Sequence, residues 1–213
     1  MDAVIAPDIA AAADAIERAV RARGAKLVAL AGLPGAGKST VAAALRARWP
    51  DAAVLRMDGY HLPRRLLDAA GLRRRGAPHT FDPSRLRADL LRLKTTGAGV
   101  FPAFDHAEGD PREAAIEVRA GAAPVFVEGL YLLLRTWRLA DLFDFRVFLD
   151  CPPDEAMRRV AARHLACGLA AHAAAARARA ETNDRRNAEL ILADACRERA
   201  DLVISTAPLS SKA

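Results

Sequence analysis

An α/β fold with a mostly parallel five-stranded sheet between two helical layers is what this 213-residue chain predicts, on three observations. Short apolar runs recur at 26–31, 53–57, 124–127, 145–149 and 201–205 and alternate with helix-period segments. That is the pattern of strands buried on both faces by crossover helices. The first run passes straight into Gly32-Leu33-Pro34-Gly35-Ala36-Gly37-Lys38-Ser39-Thr40, a glycine-rich junction leading into the helical pattern that begins Val41-Ala42-Ala43-Ala44-Leu45. Acidic residues close the second and third runs, Asp58 and Glu128, at the carboxyl strand ends where open α/β sheets hold ligands.

Each element follows from its local pattern. Residues 8–23 carry apolar side chains at 9, 12, 13, 16 and 20, a helical period, with Asp8 to cap the start and Gly24 to stop it. The junction after the first strand fits G-x-x-x-x-G-K-[S/T] at every fixed position, in the strand–loop–helix context that a phosphate-binding loop requires. Gly32, Gly35 and Gly37, with Ala36 between them, let the backbone curl with its N–H groups inward. The helix running to about Arg48 adds the partial positive charge of its N-terminus. In such a loop Lys38 reaches the β- and γ-phosphates and the hydroxyl of Ser39, next to Thr40, ligates magnesium. The fold is therefore expected to be a P-loop NTPase sandwich of three layers, and ATP with Mg2+ the expected ligands.

Ala53-Val54-Leu55-Arg56-Met57 reads as the second strand, which makes Asp58 a candidate base or magnesium ligand, and Gly59 reads as a turn glycine. The stretch from Pro63 to Asp82 is long for a connection and rich in arginine, and long loops without an obvious element are often functional. Its arginines suit an anionic acceptor held by forked hydrogen bonds. A helix is expected at about 84–95, then an irregular segment over 97–111 with Phe101 and Phe104 partly packed and Asp105 and His106 toward its inner side. A short edge element is expected at 114–119. Glu128, after the strand at 124–127, stands where a Walker-B-like acid acts on magnesium directly or through water. A short helix follows at 132–137.

After the strand at 145–149, Pro153 and Asp154 open a helix to about Leu169, whose Arg158, Arg159, Arg163 and His164 form a basic cluster suited to close over phosphates. The alanine-rich 167–179 permits a helix weakly held by packing, as a mobile lid boundary needs. A last helix is expected at 187–199. The whole reads as one domain over 1–213, with acceptor-binding insertions near 59–82 and 97–119 and a lid near 155–180.

Composition narrows the function classes. The net charge is +6, yet basic and acidic residues are intermixed and aromatics are only 5%, so no nucleic-acid partner is expected. Lys26, Lys38, Lys94 and Lys212 are the lysines among 32 basic residues, so a lysine in the loop is not a compositional accident. No apolar run approaches a membrane span and residues 1–25 lack a signal peptide's apolar segment, so no membrane insertion and a cytoplasmic protein are the expectation. Cys151, Cys167 and Cys196 lack metal-ligand spacing.

Together, Met57-Asp58-Gly59-Tyr60-His61-Leu62, Arg75-Gly76-Ala77-Pro78-His79-Thr80-Phe81-Asp82, Pro102-Ala103-Phe104-Asp105-His106 with Asp110-Pro111, Val127-Glu128-Gly129-Leu130-Tyr131 and Asn183-Asp184-Arg185-Arg186-Asn187-Ala188 resemble the superfamily of uridine kinase, phosphoribulokinase and bacterial pantothenate kinase. The resemblance spans about 24–206 and is nearest to the branch named fructose transport system kinase. It implies an ATP- and Mg2+-dependent kinase acting on a hydroxyl of a small molecule. Lys38 and Ser39 match the phosphate and magnesium residues, Asp58 the acid that activates the acceptor hydroxyl or joins the magnesium shell, and Glu128 the acid near metal and acceptor. His61, Arg75, His79, Asp105, His106 and Tyr131 fall in acceptor-binding segments, and Arg159 and Arg163 in the lid. The 101–111 segment matches neither uridine kinases nor pantothenate kinase in full, so nucleoside, pantothenate-like and sugar-like acceptors all stay open, as does a homodimer. The alternative is a nucleotide-binding NTPase or regulator associated with a sugar transport system, which needs no acceptor pocket.

Overall fold

The computed structural model describes residues 3–105, 107–121 and 123–206. Along the chain run β1 (Val4–Ile5), α1 (Ile9–Arg23), β2 (Leu27–Gly32), α2 (Lys38–Arg48), β3 (Ala53–Arg56), α3 (Ala69–Arg73), α4 (Pro83–Thr96), β4 (Gly99–Asp105) and β5 (Asp110–Val118). The remainder comprises β6 (Val125–Gly129), β7 (Phe145–Asp150), α5 (Pro153–Ala166), α6 (Ala173–Arg179), α7 (Arg185–Ala193) and β8 (Leu202–Ser205).

The main sheet has the order β1-β8-β7-β2-β6-β3, and every pairing in it is parallel. The five predicted strands are all present, and β1 adds a sixth at the edge. Its two residues are too few to give a periodic signal, and Ile5 is 75% exposed. β2 lies in the middle, and all six of its residues are buried, as expected of a strand covered on both faces. The chain leaves β2 for β3 and β6 on one side and returns to β7 and β8 on the other, so the carboxyl end of β2 is a switch point.

α1 begins as the sequence indicates: Asp8 accepts a hydrogen bond from the Ala11 N–H at 2.8 Å, and Gly24 closes the helix in the left-handed region. Its buried stripe of Ala12, Ala13, Ile16 and Val20 faces the core.

Four expectations change. The segment 97–111 is not irregular but forms, with the expected edge element, an antiparallel hairpin of β4 and β5. Its register shifts between Phe101 and Ala103, at Pro102, which has no N–H to donate to a ladder. The long 63–82 connection contains α3, capped by Asp68 onto the Gly71 N–H, and short 3-10 turns at 64–66 and 78–80. The helix expected at 132–137 is two 3-10 turns, 135–137 and 140–142. The final helix starts earlier and stops at Ala193, where Ala195 at φ 53° breaks it before a 3-10 turn. Between α6 and α7 a π-helical turn spans Ala180–Asp184, a wider winding often found beside functional sites.

Candidate functional site

The phosphate-binding loop bridges the carboxyl end of β2 and the start of α2. Gly35 and Gly37 take φ of 81° and 91°, where a β-carbon is strained. At Gly35 a β-carbon would also stand 2.3 Å from the Ala156 carbonyl oxygen of α5, so the loop is packed tightly beneath that helix. Gly37 caps α2 without any side-chain hydrogen bond, which leaves the first-turn N–H groups for an anion.

Lys38 is buried and folds back along this loop, donating to the carbonyl oxygens of Gly32 at 3.1 Å and Leu33 at 2.7 Å. Burial lowers its pKa from 10.5 to about 8; Arg163 pushes the same way, and Glu128 and Asp58 oppose. The Lys38 ammonium, both carboxylates and Arg163 of α5 thus share a single electrostatic field.

Ser39 Oγ donates to Glu128 Oε1 at 2.8 Å, joining the first turn of α2 to the end of β6. The same oxygen faces Arg56 Nε at 3.5 Å. Glu128 is only 6% exposed. A hydroxyl and a carboxylate in contact beside a phosphate cradle form a hard oxygen donor set that suits magnesium. Among the described residues no group of three or more His, Cys, Asp and Glu side chains offers a different metal site.

Asp58 lies in a single 3-10 turn, Met57–Tyr60, directly after β3. Met57 and Tyr60 anchor that turn in the core, and the Tyr60 hydroxyl donates to Asp89 Oδ2 at 3.0 Å. Gly59 is needed less for turn geometry than for approach: a β-carbon there would lie 2.4 Å from the Pro102 carbonyl oxygen of β4. Asp58 lines a groove of about 1000 Å³ together with Ser39, Arg56, Phe104 and Ile116. The groove runs between the edge strand β3 and the β4–β5 hairpin.

The other candidates spread over three environments. His61 stacks on Phe81 with ring centroids 3.9 Å apart, and its Nδ1 lies 3.3 Å from the Thr80 carbonyl oxygen. A carbonyl can only accept, so this bond puts the proton on Nδ1 and leaves Nε2 as an acceptor. Burial, and then the charge of Arg75, lower the His61 pKa to about 4, so the ring is neutral at pH 7. Arg75 pairs with Asp110 at 2.8 Å. Asp105 Oδ1 accepts from the N–H groups of Ala107 and Glu108, which organises the hairpin turn. His79 is exposed. His106 lies outside the described residues. Tyr131 is fully buried against Phe81 and Trp137, and its hydroxyl donates to the Gly76 carbonyl at 2.7 Å, so it supports the 63–82 connection from within the core. Arg159 is held by Glu155 at 2.7 Å, and Arg163 is exposed on α5.

Two features escaped the sequence reading. Arg56 carries no motif, since a basic residue at a strand end is common. The second is a latch between the 63–82 connection and the π-helical turn. Arg74 donates to the carbonyl oxygens of Thr182 and Asn183 and to both side-chain oxygens of Asn183 and Asn187. In return Asn183 Nδ2 donates to the Arg75 carbonyl and Asn187 Nδ2 to that of Gly76. The asparagines were visible as a motif, but their partner lies more than 100 residues away.

Comparison with known proteins agrees with this geometry. The AAA domain family matches residues 28–184. A "putative uridine kinase" of Schizosaccharomyces pombe is 36% identical over 206 residues, covering 86% of each chain. Among solved structures, a "putative fructose transport system kinase" of Silicibacter sp. superposes with a TM-score of 0.76 at 38% identity, over 92% of this chain and 98% of its own. A "possible uridine kinase" of Bacillus stearothermophilus shares the fold, with a TM-score of 0.63 at 21% identity over 90% of this chain and 96% of its own. With a phosphate-binding loop at a β-sheet switch point and relatives of these kinds, the chain belongs to the uridine-kinase-like P-loop kinases of the AAA-domain superfamily.

Proposed function

We propose that this protein transfers the γ-phosphoryl group of ATP, with Mg2+, to a hydroxyl group of a small metabolite. The observation that carries the reading is the groove that Asp58 and Ser39 line together, with an acid on one side and the phosphate loop on the other. A nucleotide sensor needs the loop and no such groove.

In this reading the first-turn N–H groups of α2 and the Lys38 ammonium hold the β- and γ-phosphates. Ser39 and Glu128 would hold magnesium, which would neutralise charge on the phosphate oxygens. Asp58 orients the acceptor hydroxyl and receives its proton, which departs late in a loose transition state, so no raised pKa is required. Arg163, whose charge already reaches Lys38, and Arg159 approach the transferring group when α5 and α6 close as a lid. Closure excludes water and limits idle hydrolysis. The 59–82 and 97–119 segments supply the acceptor side through His61, Arg75 and the hairpin, and Tyr131 braces them. The reaction suits a cytoplasmic metabolite kinase. Among the described residues no helix is long and apolar enough to cross a membrane.

Replacement of Asp58 with asparagine tests the reading. MgATP binding should persist within about twofold while transfer falls by more than about 100-fold, as loss of an acid–base residue gives. Unchanged transfer removes Asp58 from the chemistry.

A further inference from the structure

The guanidinium of Arg75 is incompletely satisfied in a place where that is costly. Its side chain is 16% exposed, and Nη2 donates to Asp110 Oδ1 at 2.8 Å. Its Nε and Nη1 are buried and have no hydrogen-bond partner among the described residues. Each unpaired buried donor costs about 1–3 kcal/mol. A fold keeps such groups where something else satisfies them.

The surroundings indicate what that something is. Phe104 faces the guanidinium at 5.6 Å and also lines the groove that holds Asp58. Arg75 therefore sits behind the groove wall, one ring away from the proposed site of transfer. The His61 ring, 5.1 Å from that of Phe104 and close enough to Arg75 to feel its charge, presents a neutral acceptor nitrogen. Asp110 does not use up the arginine's charge alone, because its Oδ1 also accepts from the Arg64 N–H at 2.9 Å.

We propose that Arg75 binds a carboxylate of the phosphoryl acceptor, so that the substrate is a small hydroxy acid. This rests on the reading of phosphoryl transfer to a hydroxyl given above. The charge balance favours a carboxylate over a phosphate. One guanidinium already shared with Asp110, beside an uncharged histidine, offers less than one free positive charge, which matches a monoanion and leaves a dianion uncompensated. The two orphaned N–H groups supply the charge-assisted bonds, and His61 Nε2 accepts from a second hydroxyl of the same molecule. Entry needs a small shift of the β4–β5 hairpin, to which Arg75 is tied through Asp110.

The test compares matched probes on the whole protein loaded with MgADP: glycerate, gluconate and pantothenate against glycerol, glucitol and panthenol, with glycerol 3-phosphate as the dianion. Binding is read by calorimetry on wild type, Arg75→Gln and Arg75→Lys, and transfer is read separately with MgATP. At least one acid should bind about 10- to 100-fold tighter than its neutral partner, the weight of a charge-assisted hydrogen bond. Arg75→Gln should erase that preference, Arg75→Lys should restore part of it, and MgADP affinity should stay within about twofold of wild type. The proposal is overturned if no acid in the panel binds better than its neutral partner, if the phosphate probe binds best, or if Arg75→Gln keeps the preference. Transfer to a neutral probe, indifferent to Arg75, overturns the carboxylate site and leaves the kinase standing. An acid that binds through Arg75 but is never phosphorylated upholds the site and removes the kinase.

Discussion

Lys38 should make the nucleotide-free protein less stable, and Lys38→Met reads that cost directly. Burial shifts its pKa from 10.5 to about 8, which sets the penalty for keeping the ammonium charged at neutral pH at about 3 kcal/mol. Methionine removes that penalty with a side chain of similar length. It also forfeits the two bonds to the Gly32 and Leu33 carbonyls, about 1 kcal/mol each. The net gain is about 1 kcal/mol, or a rise of about 2–4 °C in Tm for a chain of this size. With MgATP at about 100 times its Kd the order inverts, because wild type gains about 2.7 kcal/mol that the variant cannot. The sign with pH follows from the lowered pKa. The burden is fully present below pH 8 and is relieved between about pH 8 and 10.5, so the variant's advantage shrinks and then turns in favour of wild type as pH rises through that window. Calorimetric unfolding of both proteins, with and without MgATP, over this range is the assay. A nucleotide-free Tm that falls in the variant, or a variant still stabilised by MgATP, refutes the argument.

Further consequences are open to simple measurement. Gly35→Ala should lower Tm and abolish nucleotide binding, since its β-carbon would stand 2.3 Å from the Ala156 carbonyl; an unchanged MgATP affinity by calorimetry contradicts the packing argument. Glu128→Gln should weaken magnesium affinity, raising the magnesium needed for half-maximal transfer by at least about 10-fold, since loss of an outer-shell partner alone costs that much; a magnesium titration identical to wild type contradicts it. Arg74→Ala breaks the latch to Asn183 and Asn187, so acceptor KM should rise by about 10-fold while ATP KM stays within about twofold, the weight of one or two hydrogen bonds. Equal changes in both constants would make the latch a plain stability element. His61 titrates at about 4 when folded and near 6.5 when unfolded, so it contributes stability above pH 6.5 that is lost as pH falls toward 4, by up to about 3 kcal/mol. His61→Gln should flatten that acid limb of the stability profile.

The parts of this molecule that were legible in the sequence are those whose physics is local. The phosphate-binding loop is contiguous, its glycines and lysine stand at fixed spacing, and β2 and α2 announce themselves by period. Asp58 and Glu128 stood out as candidates because a strand end is a place one can read. The hairpin was not, because Pro102 interrupts the alternation of β4 and a third of β5 is polar and exposed. The π-helical turn at 180–184 has no periodic signature of its own, and it joins two helices that read as an alanine-rich stretch and a later helix. The Arg56–Glu128 contact and the Arg74 latch depend on sheet order and on how the connection after β3 folds back, which single-chain patterns do not encode. The environment of Tyr131 was not legible either: its motif resembles a binding segment, and the side chain is buried under the loop that its hydroxyl supports.

The central claim is that ATP's terminal phosphoryl group ends on a small-molecule hydroxyl. Its most direct test is ADP release with mass analysis of the acceptor, run with magnesium over a panel of hydroxy acids, sugars and nucleosides, with Lys38→Ala as the blank. One class of compound should stimulate ADP release and gain one phosphoryl group, and Asp58→Asn and Lys38→Ala should lose both signals. Tight MgATP binding with slow hydrolysis indifferent to every acceptor would contradict it.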